Sequence, residues 1–259
     1  MSAAPEPDEI YRRTKEEGER RLSRPPLELA ATTLVAGFDV VFGIVALGVT
    51  HAYVAESFGE GAGAFAGALA FGIAFVFIVV GRSELFTENF LVPIAGLDRR
   101  SRASWYKLVE LWTLSPVLNV LGGALLVLVL TVEGVLPDGT GEALETTALA
   151  LDENDALAAL MSAIAAGALI TLMTWLVEGS DTIGIRVVTA WAAGALLALG
   201  QFNHVIVVTL ELLFGIRYGA EIGWGDVAGN FALAAVGNLV GGVLFVTLTR
   251  FGQARAASS

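Results

Sequence analysis

The sequence predicts an all-α membrane protein with six transmembrane segments, arranged as two inverted three-helix repeats whose second helices, the second and fifth of the chain, are broken. Three observations carry this. Hydrophobic residues make up 55% of the 259 and charged residues only 16%, with the charges bunched in the tail and loops. Two apolar segments are too long for a straight span, and a polar cluster interrupts each. A motif of the first half also recurs in the second at a fixed offset.

Residues 1–26 are polar, Pro-containing and mixed in charge, without the apolar core of a signal peptide, and read as a cytoplasmic tail. A single transmembrane domain follows over 27–251. A straight crossing takes about 20 apolar residues. The first span, Leu27 to Thr50, carries Asp39 midway and His51 at its outer end, where a surface position is expected. The second segment runs from Ala64 to Leu97 and is interrupted by Arg-Ser-Glu-Leu-Phe-Thr-Glu-Asn at 82–89. The third, Leu111 to Thr131, completes repeat one (27–131). Seven acids lie between Glu133 and Asp155. Repeat two (152–251) holds Ala156 to Val177, then Ile183 to Phe214 interrupted by Gln-Phe-Asn-His at 201–204, then Val227 to Phe251, with 252–259 left as a C-terminal tail.

Alternate counting of Lys and Arg places thirteen of the fifteen on one side, leaves Arg217 on the other and Arg82 within the membrane. That bias puts both termini in the cytoplasm and makes the chain a multi-pass protein of the cell membrane. The repeat agrees. Asn119-Val-Leu-Gly122-Gly123 resembles Asn238-Leu-Val-Gly241-Gly242 at an offset of 119, which also carries Gly81 onto Gly200 and lays Leu85-Phe86-Thr87 over His204-Val205-Ile206. Three spans per copy is odd, so the second copy is upside down. Chance recurrence in a glycine-rich chain, where small residues let helices pack, is the competing reading. Paired interruptions in inverted halves point to a transport site near the midplane. Short half-helices are expected to begin near Asn89 and Val205, with their positive N-terminal ends at mid-depth.

Gly81-Arg-Ser-Glu-Leu-Phe-Thr-Glu-Asn89 and Phe202-Asn-His204 resemble the two loop signatures of the formate/nitrite transporter family. Segment order, the two breaks and chain length are similar from about Leu27 to Phe251. The resemblance implies an aquaporin-like fold, a homopentamer in the lipid bilayer, and a pore in each protomer for a small monovalent weak acid or its anion. It makes Leu85 and Phe86 apolar constriction residues, Thr87 a polar lining group and His204 the central histidine, with Phe71, Phe75 and Leu197 as further constriction residues. A bare anion crossing such a constriction meets a desolvation cost that its neutral conjugate acid mostly avoids. His204 either supplies or organises a proton or is a neutral imidazole that hydrogen-bonds loop backbone.

The chain departs from the family pattern in places. No Lys or Arg stands between Thr131 and Ile185, where the family usually has a lysine, and Asp152, Glu153 and Asp155 occupy the region instead, an acidic pore mouth that repels anions. Val208 stands where the family often has asparagine. A pore for a neutral or cationic solute, or a non-conducting scaffold, therefore stays open. Asp39 divides between pore lining and a structural partner. Arg82, Glu84 and Glu88 are expected to pair with each other or with Asp39 and, with Asn89, to hold the loop; Glu178, Asp181 and Arg186 are expected to be solvated at a cytoplasmic turn.

There are no cysteines and two histidines, His51 and His204, which excludes thiol chemistry and leaves too few imidazoles for a histidine-rich metal centre. No Gly-rich phosphate loop and no catalytic cluster is visible. The expectation is no enzyme, metal, cofactor or nucleic acid.

Overall fold

The computed structural model describes residues 5–153 and 155–257, and all regular structure among them is helical. The helices are α1 (Pro7–Leu22), α2 (Pro26–Phe58), α3 (Glu60–Phe71) and α4 (Ile73–Gly81); a 3₁₀ turn, Phe86–Phe90, leads to α5 (Val92–Ala95) and α6 (Arg102–Leu130). Then come α7 (Thr140–Asp152), α8 (Ala156–Glu178), α9 (Ile183–Leu199), α10 (Val205–Tyr218) and α11 (Trp224–Val240), which passes through a π-helical stretch, Gly241–Thr247, into α12 (Leu248–Ala257). Among the described residues five helices are long and apolar enough to cross a membrane: Pro26–Phe58, Glu60–Gly81, Arg102–Leu130, Ala156–Glu178 and Trp224–Ala257; the apolar α9 is shorter.

The helix limits follow from local chemistry. Pro26 opens α2, where a missing N–H costs nothing, and Gly59, at φ 85°, turns the chain back into α3. Large apolar side chains stay exposed along one stripe of α6: Leu114, Val117, Leu121, Leu125 and Leu128. That stripe suits lipid or a neighbouring subunit, not water.

The repeated motif occupies one structural place in both halves. A Cβ on Gly122 would lie 2.1 Å from the Leu34 carbonyl oxygen of α2, and one on Gly241 would lie 1.9 Å from the Ile164 oxygen of α8. Each glycine lets its helix touch the first helix of its own half, which chance recurrence does not require.

Two stretches differ from the sequence expectation. The polar tail contains α1, which lies against the molecule: Tyr11 meets Phe251 edge-on at 4.8 Å, and Gly18 fits so closely to α5 that a Cβ would come 2.1 Å from the Val92 oxygen. The acidic stretch contains α7, whose Ala143, Leu144 and Ala148 are buried. Thr14 and Gly18 of α1, and Thr140, Ala143, Leu144 and Ala148 of α7, recur at helical spacing and anchor each helix in spite of its charges.

Candidate functional site

Both long segments break where the offset of 119 requires. Arg82 and Gln201 are the non-glycine residues with positive φ among the described residues, at 57° and 47°. Left-handed backbone costs a non-glycine residue about 1–2 kcal/mol, and here two equivalent positions adopt it to turn the chain out of a helix.

The freed backbone is satisfied by two asparagines in equivalent roles. Phe86 N–H donates to Asn119 Oδ1 (3.0 Å), and Asn119 Nδ2 donates to the carbonyls of Thr33 (2.6 Å) and Glu84 (3.0 Å). Val205 N–H donates to Asn238 Oδ1 (2.9 Å), and Asn238 Nδ2 donates to Ala163 (2.8 Å) and Asn203 (2.9 Å). Phe86 maps onto Val205 and Glu84 onto Asn203 at the same offset. Both asparagines are wholly buried, and each meets backbone groups that hydrocarbon could not.

These frames bring the two loops together. Thr87 Oγ1 lies 2.8 Å from His204 Nε2, and both residues are fully buried. Val207 N–H donates to His204 Nδ1 at 3.4 Å. A ring nitrogen that accepts from backbone carries no proton, so in the neutral tautomer Nε2–H donates to Thr87. His204 thus caps α10 and faces Thr87 at once.

Two cavities approach this pair from opposite ends. One of about 340 Å³, at the α7 end, is lined by Leu47, His51, Glu60, Phe71, Leu197 and Glu211 among others. The other, of about 350 Å³ at the α1 end, is lined by Arg21, Arg24, Ile78, Arg82, Glu88 and Thr174 among others. Along the α3–α4 rod the first cavity reaches Phe71 and the second begins at Ile78. Seven residues at 1.5 Å each leave a wall about 10 Å thick. Phe75 lies in that interval, edge-on to the His204 ring at 6.2 Å and to Phe71 at 6.1 Å. Leu85, Thr87 and His204 have no exposed surface. Phe86 lines neither cavity and packs edge-on against Phe90 at 4.8 Å.

The ionisable residues around the breaks pair differently from the sequence expectation. Arg82 pairs with neither Glu84 nor Asp39; its left-handed backbone leaves it exposed at the rim of the α1-end cavity. Glu84, with 1% of its side chain exposed, is held by Arg24 and by Arg21 Nε at 3.5 Å. Asp39 accepts from Ser83 Oγ at 2.5 Å and is a structural partner of the first break. Glu88 accepts the Leu85 N–H at 3.1 Å. Asn89 accepts from Arg21 Nη1 at 3.1 Å, and its carbonyl accepts from Trp112 Nε1 at 2.8 Å. The half-helix expected near Asn89 is a 3₁₀ turn followed by the four residues of α5, because Pro93 interrupts the ladder of N–H donors. The second half-helix, α10, starts at Val205 as expected.

Two further expectations are corrected, and a third holds for exposed Asp181. Asp152, Glu153 and Asp155 do not line the α7-end cavity, whose acids are Glu60 and Glu211. Folding of α7 carries Asp152 toward α11, where burial, then the charges of Asp226 and Glu153, push its carboxyl above its ordinary value. Asp155 caps α8 by accepting from Leu157 and Ala158 N–H at 2.9 and 3.0 Å. His51 is buried, not on the surface, with Nε2 2.9 Å from Glu60 Oε2. At the α1 end Asp181 pairs with Arg13 at 2.6 Å, while Glu178 and Arg186 line the cavity. Arg21, Arg24, Glu211 and the bonding role of the two asparagines escaped sequence reasoning. An intramembrane carboxylate and two asparagines at equivalent span positions were the available signals.

The family model described as formate/nitrite transporter matches residues 8–252. The chain is 24% identical over 250 residues to the inner membrane protein YfdC of Escherichia coli, covering 95% of this chain and 78% of that one. It is 28% identical over 238 residues to a probable formate transporter of Methanothermobacter thermautotrophicus, covering 83% and 84%. Among solved structures it superposes on an FNT family ion channel with a TM-score of 0.80 at 18% identity, over 94% of this chain and 98% of the other. It also superposes on a pentameric formate channel with formate bound, with a TM-score of 0.73 at 20% identity, over 87% and 96%. With the family model spanning both breaks and nearly the whole chain, the chain belongs to the formate/nitrite transporter family.

Proposed function

We propose that this chain moves a small monovalent weak acid, of the size of formic or nitrous acid, through a pore in each protomer of a homopentamer in the cell membrane, with both termini cytoplasmic. The observation that carries the reading is the pair of cavities separated by a wall about 10 Å thick that contains the Thr87–His204 contact. The six spans are then α2, α3–α4 with its loop and α5, α6, α8, α9–α10 and α11–α12, forming one pore domain over 27–251 with repeats 27–131 and 152–251. The chain's likeness to the formate-bound pentameric channel and to the probable formate transporter supports the solute class and assembly.

The physical argument is solvation. Leu85, Phe75, Phe71 and Leu197 line the narrow passage and offer a bare anion nothing for its lost water, a cost of several kcal/mol or more. The neutral acid carries one O–H donor and one doubly bonded oxygen as acceptor. In the neutral tautomer the Thr87 hydroxyl takes the Nε2–H of His204 and keeps its own O–H and a lone pair for the passing solute. Phe86 acts from behind the loop, through Phe90. Asn119, Asn238, Glu88, Asn89, Asp39 and Ser83 hold the loops in place, and no step forms or breaks a covalent bond in the solute.

The test is flux into liposomes containing the purified protein, read by an internal pH dye after addition of formate or nitrite. Wild type should acidify the lumen far faster than empty vesicles. His204→Ala and Phe86→Ala should change the rate while keeping the assembly. A scaffold would give empty-vesicle rates for wild type and both variants.

A further inference from the structure

The two cavities differ in their charges. Six arginines and four glutamates line the α1-end cavity, whereas no Lys or Arg lines the α7-end cavity. Glu211 projects into the latter from α10 and is 7% exposed. No hydrogen bond or ion pair joins its carboxyl to any described residue. The cavity's apolar wall, with Leu47, Phe71, Leu197 and Val207, offers a charge nothing, and its other polar members are His51, Glu60, Thr146, Thr147 and Gln201. The imidazole at the rim, His51, is already engaged by Glu60. A carboxylate left in such a place is costly until a counter-charge arrives.

The rest of the lining supplies acceptors. The Glu60 carboxylate faces the same space, as does the Thr147 hydroxyl, whose proton goes to the Ala143 carbonyl at 2.9 Å and leaves its lone pairs available. Phe71 and Phe202 add aromatic surface of the kind that attracts cations. Carboxylate and hydroxyl acceptors match the N–H donors of an ammonium ion. Among the described residues no three His, Asp or Glu side chains are grouped as a metal ion would need.

We propose that the α7-end cavity is a binding site for a small monovalent cation of the ammonium class, with the Glu211 carboxylate as its counter-charge. It rests on the preceding reading only in taking the cavity to be open to solute at the α7 end.

The test is equilibrium dialysis of radiolabelled methylammonium against the purified full chain at neutral pH, with assembly size followed by light scattering and weak-acid flux measured on the same preparations. Saturable binding by wild type is expected, weakened about tenfold or more in Glu211→Gln and largely kept in Glu211→Asp, which retains the charge. Absence of saturable binding to wild type overturns the proposal, whether or not Glu211→Gln assembles. Equal affinity of an intact Glu211→Gln assembly overturns it too. Glu211-dependent binding without any weak-acid flux would sink the pore reading and leave the cation site standing.

Discussion

At the scale of single residues, two asparagines and one histidine do what the breaks require. Asn119 and Asn238 each satisfy one N–H and two carbonyls of a loop buried in the protein. Replacing either by Leu strands those groups at about 1–3 kcal/mol for each donor or acceptor left unsatisfied. The thermal midpoint of the detergent-solubilised assembly should therefore fall for both variants, and by similar amounts because the bonding is equivalent. A fall confined to one of them would argue against equivalent roles. Thr87→Val keeps the shape and strands only His204 Nε2, so weak-acid flux should drop while melting falls by less than in either asparagine variant, which strands three groups. Leu-Phe-Thr and the fifth-segment histidine were legible in the sequence because they sit in polar interruptions of apolar segments. The bonding of the asparagines was not, since a residue inside a span gives no sign of which backbone it faces.

At the scale of elements, α1 and the link that follows it fasten the first break from outside the span. Arg21 and Arg24 reach Glu84 and Asn89 in the loop. Replacing both arginines by Ala leaves Glu84 buried without a charge partner, at about 3–5 kcal/mol. Adding Glu84→Gln in that background should recover most of the loss in melting temperature; no recovery would mean that α1 acts through packing alone. Within α1, Glu17 adds a pH dependence. Burial alone would raise its carboxyl, but the hydrogen bond from Arg20 and the charge of Arg21 outweigh it and hold the group at about 2, below its ordinary 4.5. A depressed carboxyl stabilises the fold above 4.5 and loses that contribution as pH falls from 4.5 through about 2. Melting temperature should decline across this window in wild type and less steeply in Glu17→Gln. The long apolar helices and both interruptions could be read from hydropathy and length. The helices α1 and α7 could not, because their charged residues hide short stripes of small side chains that matter only once a neighbour is in place.

At the scale of the whole molecule, inverted symmetry makes the passage: each half supplies one broken helix, and the breaks meet at Thr87 and His204 with a cavity on either side. The offset of 119 announced the symmetry, but the lining of the α7-end cavity depended on where α7 folds, and sequence placed the wrong acids there. If the neutral acid is the species that crosses, flux at fixed total formate should rise about tenfold for each unit that external pH falls, following the protonated fraction. Flux independent of pH would mean that the anion itself passes. The central claim is that solute passes the Thr87–His204 contact, and the absence of cysteine from the chain permits a direct measurement. In Thr87→Cys protein reconstituted in liposomes, modification of the thiol with a small methanethiosulfonate is followed by mass spectrometry beside weak-acid flux. Flux should vanish in proportion to modification, while the same treatment of Leu121→Cys, on the exposed stripe of α6, should leave it unchanged. Undiminished flux through fully modified Thr87→Cys protein would contradict the account.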